Sequence, residues 1–165
     1  MLRPYTPGDF DVLNTWIPDA EALLRFSGPD WPFPLSAEVL NKHIEQHPHR
    51  WFYMACHENG MPYGFGQIIA NEVNAPRLGR LLVDPAQRGK GLGLQFVLEL
   101  IEQCKIIAPS NEIYLFVDEA NTAALRCYEK AGFKLDKDIS HPMKVHDRII
   151  TIKRMTIQIN PAVTA

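Results

Sequence analysis

Between Leu81 and Gly93 the chain reads Leu-Leu-Val-Asp-Pro-Ala-Gln-Arg-Gly-Lys-Gly-Leu-Gly, and an apolar helical pattern follows directly. These residue types in this order make an anion site. Leu81, Leu82 and Val83 form a short extended run. Pro85 has no N–H and cannot continue a sheet ladder. Gly89, Gly91 and Gly93 let the backbone approach a ligand closely and take conformations that a Cβ forbids. Leu92 stands at the start of a helix whose first-turn N–H groups are free and whose dipole favours an anion. Arg88 and Lys90 add positive charge. The ligand expected here carries phosphate. Spacing excludes two common phosphate loops. Gly89 and Gly91 begin Gly-x-Gly-x-x-Gly, but the last position is Leu94, and the register starting at Gly91 meets Phe96. Lys90 is followed by Gly91 rather than Ser or Thr, so the Walker pattern fails too.

A second cluster, Asn121-Thr-Ala-Ala-Leu-Arg-Cys-Tyr128-Glu-Lys-Ala-Gly132-Phe133, reads as a short capped helix. Asn121 suits an N-cap and Gly132 the left-handed residue past the end. The two clusters together, Arg88-x-x-Gly91-x-Gly93 after Val-Asp-Pro and then Asn121 through Tyr128 to Gly132-Phe133, resemble the signatures of the GNAT acetyltransferase superfamily. The resemblance covers residues 62 to 135 and is weak elsewhere. It implies acetyl-coenzyme A as co-substrate, held by Leu81, Leu82 and Val83 along the pantetheine arm. It likewise implies that Arg88, Gly89, Lys90, Gly91, Leu92 and Gly93 hold the pyrophosphate, and that Asn121 and Tyr128 lie beside the cofactor. The reaction implied is direct transfer of the acetyl group from thioester to a primary amine. A neutral amine attacks, an oxyanion forms and a thiolate leaves. A phenol with an ordinary pKa of about 10 stays protonated at neutral pH, so Tyr128 is the expected general acid. Without the resemblance, its spacing favours a core tyrosine packed on Leu125 over a catalytic one. No general base is visible. Where members of the family carry a glutamate on the strand before or after the loop, this chain has Arg77 and Phe116. Glu72 is a weak candidate. The alternative function is a catalytically silent acyl-coenzyme A-binding or sensor module on the same fold.

The segment Pro29-Asp30-Trp31-Pro32-Phe33-Pro34 is rich in prolines and aromatic rings. The resemblance places it at the border of the acceptor site. Asp30, Trp31, Phe33 and Glu72 are the expected acceptor-binding residues, with Asp30 facing a cation. The competing role for Trp31 and Phe33 is to cover the edge of the core. His43 and His47 are four apart but lack a third ligand, and no metal is expected.

These residues need a scaffold. Met1 to Thr6 reads as a strand, and helical stretches are expected over Pro7–Trp16, Ala20–Phe26 and from Ser36 to about Gln46. The period then becomes extended over Arg50–Glu58. Asn59-Gly60 marks a hairpin, and Tyr63–Ala70 and Arg77–Val83 continue the meander. A helix over Gly91–Ile107, a buried strand over Ile113–Val117, the Asn121 helix, an extended piece at Phe133–Leu135 and a strand over Arg148–Ile159 complete the chain. The fold class expected is α+β, with a central mixed, mostly antiparallel sheet flanked by helices. The family implies the same, with the strands before the glycine loop and before the Asn121 helix splaying apart.

One domain spanning residues 1–165 is expected from a length of 165 residues, of which 46% are hydrophobic. A net charge of −2 leaves no basic field for nucleic acid. Asp9, Asp11, Asp19 and Glu21 rule out a signal-peptide core at the start, and no apolar run is long enough to span a membrane. A soluble, cytoplasmic monomer or homodimer is expected, acting on a small-molecule or peptide amine. Cys56, Cys104 and Cys127 form neither a metal spacing nor a disulfide framework, and read as reduced, mostly buried thiols.

Overall fold

The computed structural model describes residues 1–70 and 75–159. Its strands are β1 (Leu2–Pro4), β2 (Arg50–Cys56), β3 (Pro62–Ile69), β4 (Arg77–Val83), β5 (Glu112–Asp118), β6 (Lys134–Val145) and β7 (Arg148–Gln158). Its helices are α1 (Phe10–Thr15), α2 (Ala20–Ser27), α3 (Ala37–Gln46), α4 (Leu92–Ile107) and α5 (Thr122–Ala131), with single 3-10 turns at Pro7–Asp9 and Pro85–Gln87. Local chemistry sets the boundaries. The side chains of Asp19, Ser36 and Asn121 accept the N–H of Ala22, Val39 and Ala124, which satisfies helix-start donors that would otherwise be orphaned. Gly132, at φ 111°, ends α5 in the left-handed conformation. β2 stops at Cys56, short of Glu58, because the Asn59-Gly60 turn begins at His57, whose N–H donates to the Met61 carbonyl over 2.9 Å.

The seven strands lie in the order β1-β2-β3-β4-β5-β7-β6. Every neighbouring pair is antiparallel except β4 and β5, which run parallel. That parallel join is short. Only Arg77↔Tyr114 and Leu78↔Leu115 pair across it, after which the two strands diverge.

The two faces of the sheet are covered differently. Under α4 and α5, Phe96, Leu100 and Cys104 pack on Ile68, Leu78, Ile113, Leu115 and Met155, so this core spans the join. Under α1 to α3, Leu13, Leu23, Phe26 and Leu40 pack on Phe52, Met54, Phe65 and Leu82. That second core draws on β2 to β4 and not on β5 to β7.

The largest departure from the sequence reading is β6. It is twelve residues long rather than a piece at Phe133–Leu135. Asp136 to Lys144 carries charge and Pro142, which argues against an interior strand. β6 is instead the sheet edge, where charge and proline are tolerated. Its register with β7 is interrupted between Leu135 and Ser140. At the far end of this hairpin, Arg148 forms an ion pair with Glu21 of α2. No helix among the described residues is long and apolar enough to cross a membrane. All three cysteines are free thiols, Cys56 and Cys104 buried and Cys127 partly so.

Candidate acetyl-transfer site

β4 is bonded to β3 along one edge, through Gly64↔Val83 and Phe65↔Leu82. Its other edge has no partner strand beyond Leu78 among the described residues. The backbone of Leu81, Leu82 and Val83 therefore borders an open cleft between β4 and β5. Leu81 and Val83 lean on the core beneath α4, while Leu82 belongs to the core on the other face.

At the end of β4 the chain turns tightly. Asp84 Oδ1 accepts the Ala86 N–H over 2.9 Å, and the Gln87 N–H donates to the Asp84 carbonyl over 2.8 Å. Gly89 and Gly91 follow with φ of 81° and 79°, the left-handed region that side chains avoid. A Cβ at either would meet nothing within 4 Å. The requirement for glycine is conformational, and the space above the loop is open. Gly91 is also the N-cap of α4. It offers no side-chain cap, and the first intrahelical bond comes from Gln95 N–H. The N–H groups of the first turn thus remain free at the positive end of a sixteen-residue helix. Arg88 and Lys90 are exposed beside them, with Lys90 Nζ 3.4 Å from Gln87 Oε1. Free donors, open space and basic side chains fit a pyrophosphate. Gly93 differs from the expectation of close ligand approach. It is helical without a positive φ, and an added Cβ would lie 3.7 Å from Cys127 Sγ, an ordinary contact between α4 and α5.

Tyr128 sits on α5, partly buried, with its ring 6.2 Å from that of Phe133. Burial, with a smaller contribution from Cys127, pushes its phenol well above the ordinary range. It therefore keeps its proton at neutral pH. Asn121 uses its side-chain oxygen to cap α5, 3.2 Å from the Ala124 N–H.

The opposite face of β4 carries a feature that the sequence reading did not contain. Phe65 pairs with Leu82 and Gln67 with Gly79, so Gly66 alone opposes Arg80 and Leu81. This is a bulge in β4, and Arg80 adopts φ 47° within it. Gly66 is needed there, since a Cβ would fall 2.6 Å from Leu81 Cδ2 and 2.9 Å from Phe96 Cζ. The Arg80 guanidinium lies 4.5 Å from the centre of the Trp31 ring. Trp31 is buried at 8% exposure, against Phe26 at 6.1 Å and His43 at 5.0 Å. The aromatic loop thus divides. Trp31 is a core residue and also a platform for Arg80, whereas Phe33 stays 45% exposed. Asp30 is exposed, and its charge acts on the protein's own Arg50 and Arg80. Glu72 lies outside the described residues.

Three guanidinium groups share this neighbourhood. Burial first, then the charges of Arg50 and Arg77, lower Arg80 to about 10, against a partial rise from Asp30. Burial and Arg77 lower Arg50. Burial, then Arg80, His47 and Arg50, hold His43 neutral, with its pKa pulled down to about 4. Arg50 Nη1 lies 3.4 Å from His43 Nε2, which accepts in that neutral state. No group of three or more metal-ligating side chains occurs among the described residues.

The family model described as the acetyltransferase (GNAT) family matches residues 17–133. Spermidine N(1)-acetyltransferase of Escherichia coli is 24% identical over 158 residues, covering 94% of this chain and 84% of that protein. Among solved structures, spermidine N-acetyltransferase from Vibrio cholerae in complex with CoA and spermine superposes with a TM-score of 0.77 at 19% identity, over 96% of this chain and 94% of that one. AAC(6')-Ib in complex with acetyl-coenzyme A superposes with a TM-score of 0.74 at 23% identity, over 96% and 92%. The family match takes in the glycine loop, the open cleft beside β4 and the whole of α5, so the chain belongs to the GNAT acetyltransferase family and is an acetyl-coenzyme A-dependent N-acetyltransferase.

Proposed function

We propose that this enzyme moves the acetyl group directly from acetyl-coenzyme A to a small-molecule primary amine, with Tyr128 as general acid. The observation that carries the reading is the coincidence of an open β4 edge with an uncapped helix start at its end. In this reading the N–H groups of the first turn of α4, with Gly89, Gly91, Arg88 and Lys90, hold the pyrophosphate. The unpaired backbone of Leu81 to Val83 orients the pantetheine arm. Bound there, acetyl-coenzyme A supplies an activated acyl carbon. As the new C–N bond forms and the C–S bond breaks, the Tyr128 hydroxyl donates its proton to the departing sulfur, and the amine proton passes to solvent. The raised pKa of Tyr128 suits a donor that must stay protonated. Asn121, occupied in capping, contributes by fixing where α5 begins.

The test is thiol release from acetyl-coenzyme A across an amine panel, with Tyr128→Phe as the comparison. A general acid contributes about 10²–10⁴-fold, so kcat falls by that order while coenzyme A affinity by calorimetry holds. Loss of affinity with normal turnover would make Tyr128 a packing residue. Binding without thiol release by the unmodified protein on any amine would make the chain a coenzyme A sensor.

A further inference from the structure

The α1–α3 face of β4 is electropositive, and no ion pair among the described residues answers that charge. Arg50 on β2 and Arg77 on β4 pair with the same residue, Ile69 of β3, and the charges of both lower the proton affinity of Arg80. None of the three takes part in an ion pair among the described residues. The acidic neighbour among the described residues, Asp30, offsets this in part and is exposed, with no ion pair to any of the three. Arg80 is held there at a cost. Its backbone sits at φ 47° in the bulge, and its buried Nε has no hydrogen-bond partner. One ladder position away, Gln67 is fully buried, and neither atom of its amide has a partner. Buried polar groups are nearly always paired. Two orphaned groups beside one another, in a cluster of like charges, mark a place that a ligand completes.

We propose that the acceptor amine also carries a carboxylate, as an amino acid does, and that Arg80, with Arg77 and Arg50 beside it, binds that carboxylate on the α1–α3 face of β4. This rests on the reading of the chain as an amine acetyltransferase and names its substrate class. The chemistry matches in three ways. A guanidinium offers paired donors that fit the two oxygens of a carboxylate. The Trp31 ring, with the Arg80 guanidinium carbon over it at 4.5 Å, gives that fork an aromatic wall to rest on. The same positive field disfavours an ammonium ion, so an α-amine bound here reaches its neutral, nucleophilic form more readily. A polyamine would bring two or more further positive charges to guanidinium groups that already repel one another. The spermidine-acetylating relatives therefore share the cofactor machinery with this chain but not its acceptor.

The test compares matched acceptors in the thiol-release assay: the common amino acids, their methyl esters, the corresponding decarboxylated amines, and spermidine. Free acids should exceed their own esters by at least about tenfold in kcat/KM. Arg77→Gln and Arg80→Met should each cut kcat/KM for the acid by about tenfold or more, mainly through KM, and leave the ester nearly unchanged. If Arg80→Met does not fold, Arg77→Gln and Arg50→Gln decide. A second readout needs no turnover. With coenzyme A present, a preferred amino acid should raise the melting temperature of the unmodified protein and not that of Arg77→Gln. Spermidine or the esters outperforming the acids, or variants that weaken acids and esters equally, would overturn the proposal while leaving the transferase reading intact. Absence of thiol release from every amine would overturn the transferase reading, and the melting shift would then decide the carboxylate site by itself.

Discussion

The Arg77 guanidinium stands 5.4 Å from the centre of the Phe116 ring. Arg77 opens β4 and Phe116 lies on β5, so the pair bridges the join between the two halves of the sheet. These are positions at which some members of the family carry a glutamate. The chain puts a permanent cation and an arene there instead. Neither accepts a proton at neutral pH. The rising limb of kcat/KM against pH should therefore follow the amine of the acceptor rather than a group of the enzyme. Two acceptors whose amines differ by about one pKa unit should shift that limb by the same amount. A limb fixed at one pH for both would reveal an enzyme base.

The glycines of the loop should separate by role. Gly91→Val forces a branched side chain into φ 79° and crowds the free N–H groups of α4. Left-handed strain costs about 1–2 kcal/mol, and coenzyme A affinity should fall about tenfold or more, equivalent to about 1.4 kcal/mol. Gly93→Ala should keep or raise the melting temperature, because its Cβ meets only Cys127 Sγ at 3.7 Å and alanine favours a helix by about 1 kcal/mol. Paired melting curves and titration calorimetry measure both effects.

Trp31→Ala should be costly on two counts. Removing a buried indole loses about 3–5 kcal/mol, and Arg80 loses the ring that orients it. Trp31→Phe keeps an aromatic platform and should soften both losses. The expected signature is a lower melting temperature together with a raised KM for the acceptor and an unchanged KM for acetyl-coenzyme A. If the melting temperature falls and both KM values hold, Trp31 is a core residue alone.

Stability should decline on the acid side because of His43. Its folded pKa, about 4, lies below the unfolded value of about 6.5. Between those values the unfolded chain binds more protons, so unfolding gains as pH falls. Asp9 does not confuse this window. Its hydrogen bond to Arg3 lowers its pKa below 3.8, so its own contribution is lost only at still lower pH. Urea midpoints from pH 7 to pH 4 should fall more steeply for the unmodified protein than for His43→Gln. Parallel slopes would mean that His43 titrates freely.

What the sequence disclosed and what it concealed divide by contact distance along the chain. The glycine loop and the Asn121 helix were legible because their geometry is contiguous: a turn, a cap and a helix start lie within a dozen residues. The α+β sheet was legible from its periodicity, and the strand splay from the resemblance. The bulge was not, because it exists only as a mismatch between β3 and β4, with Gly66 as its sole trace. Arg50, Arg80 and Gln67 come from three separate strands, and no spacing within one segment joins them. Trp31 was assigned two rival roles from its composition. Packing shows that one indole can face a core with one side and a guanidinium with the other.

The join between β4 and β5 also governs how the molecule comes apart. Two ladder positions, one shared core, the Arg77–Phe116 contact and the Arg148–Glu21 ion pair hold an N-terminal block of four strands to a C-terminal block of three. Each block is stitched internally by long antiparallel ladders. Opening along this line would break few backbone bonds, which makes it the natural boundary between cooperative units. A ligand lying lengthwise in the cleft touches both units, so it fastens them to each other as well as occupying a site. Amide exchange at Leu78 and Leu115 should accordingly slow when coenzyme A binds, while the centre of β2, away from the boundary, keeps its rate.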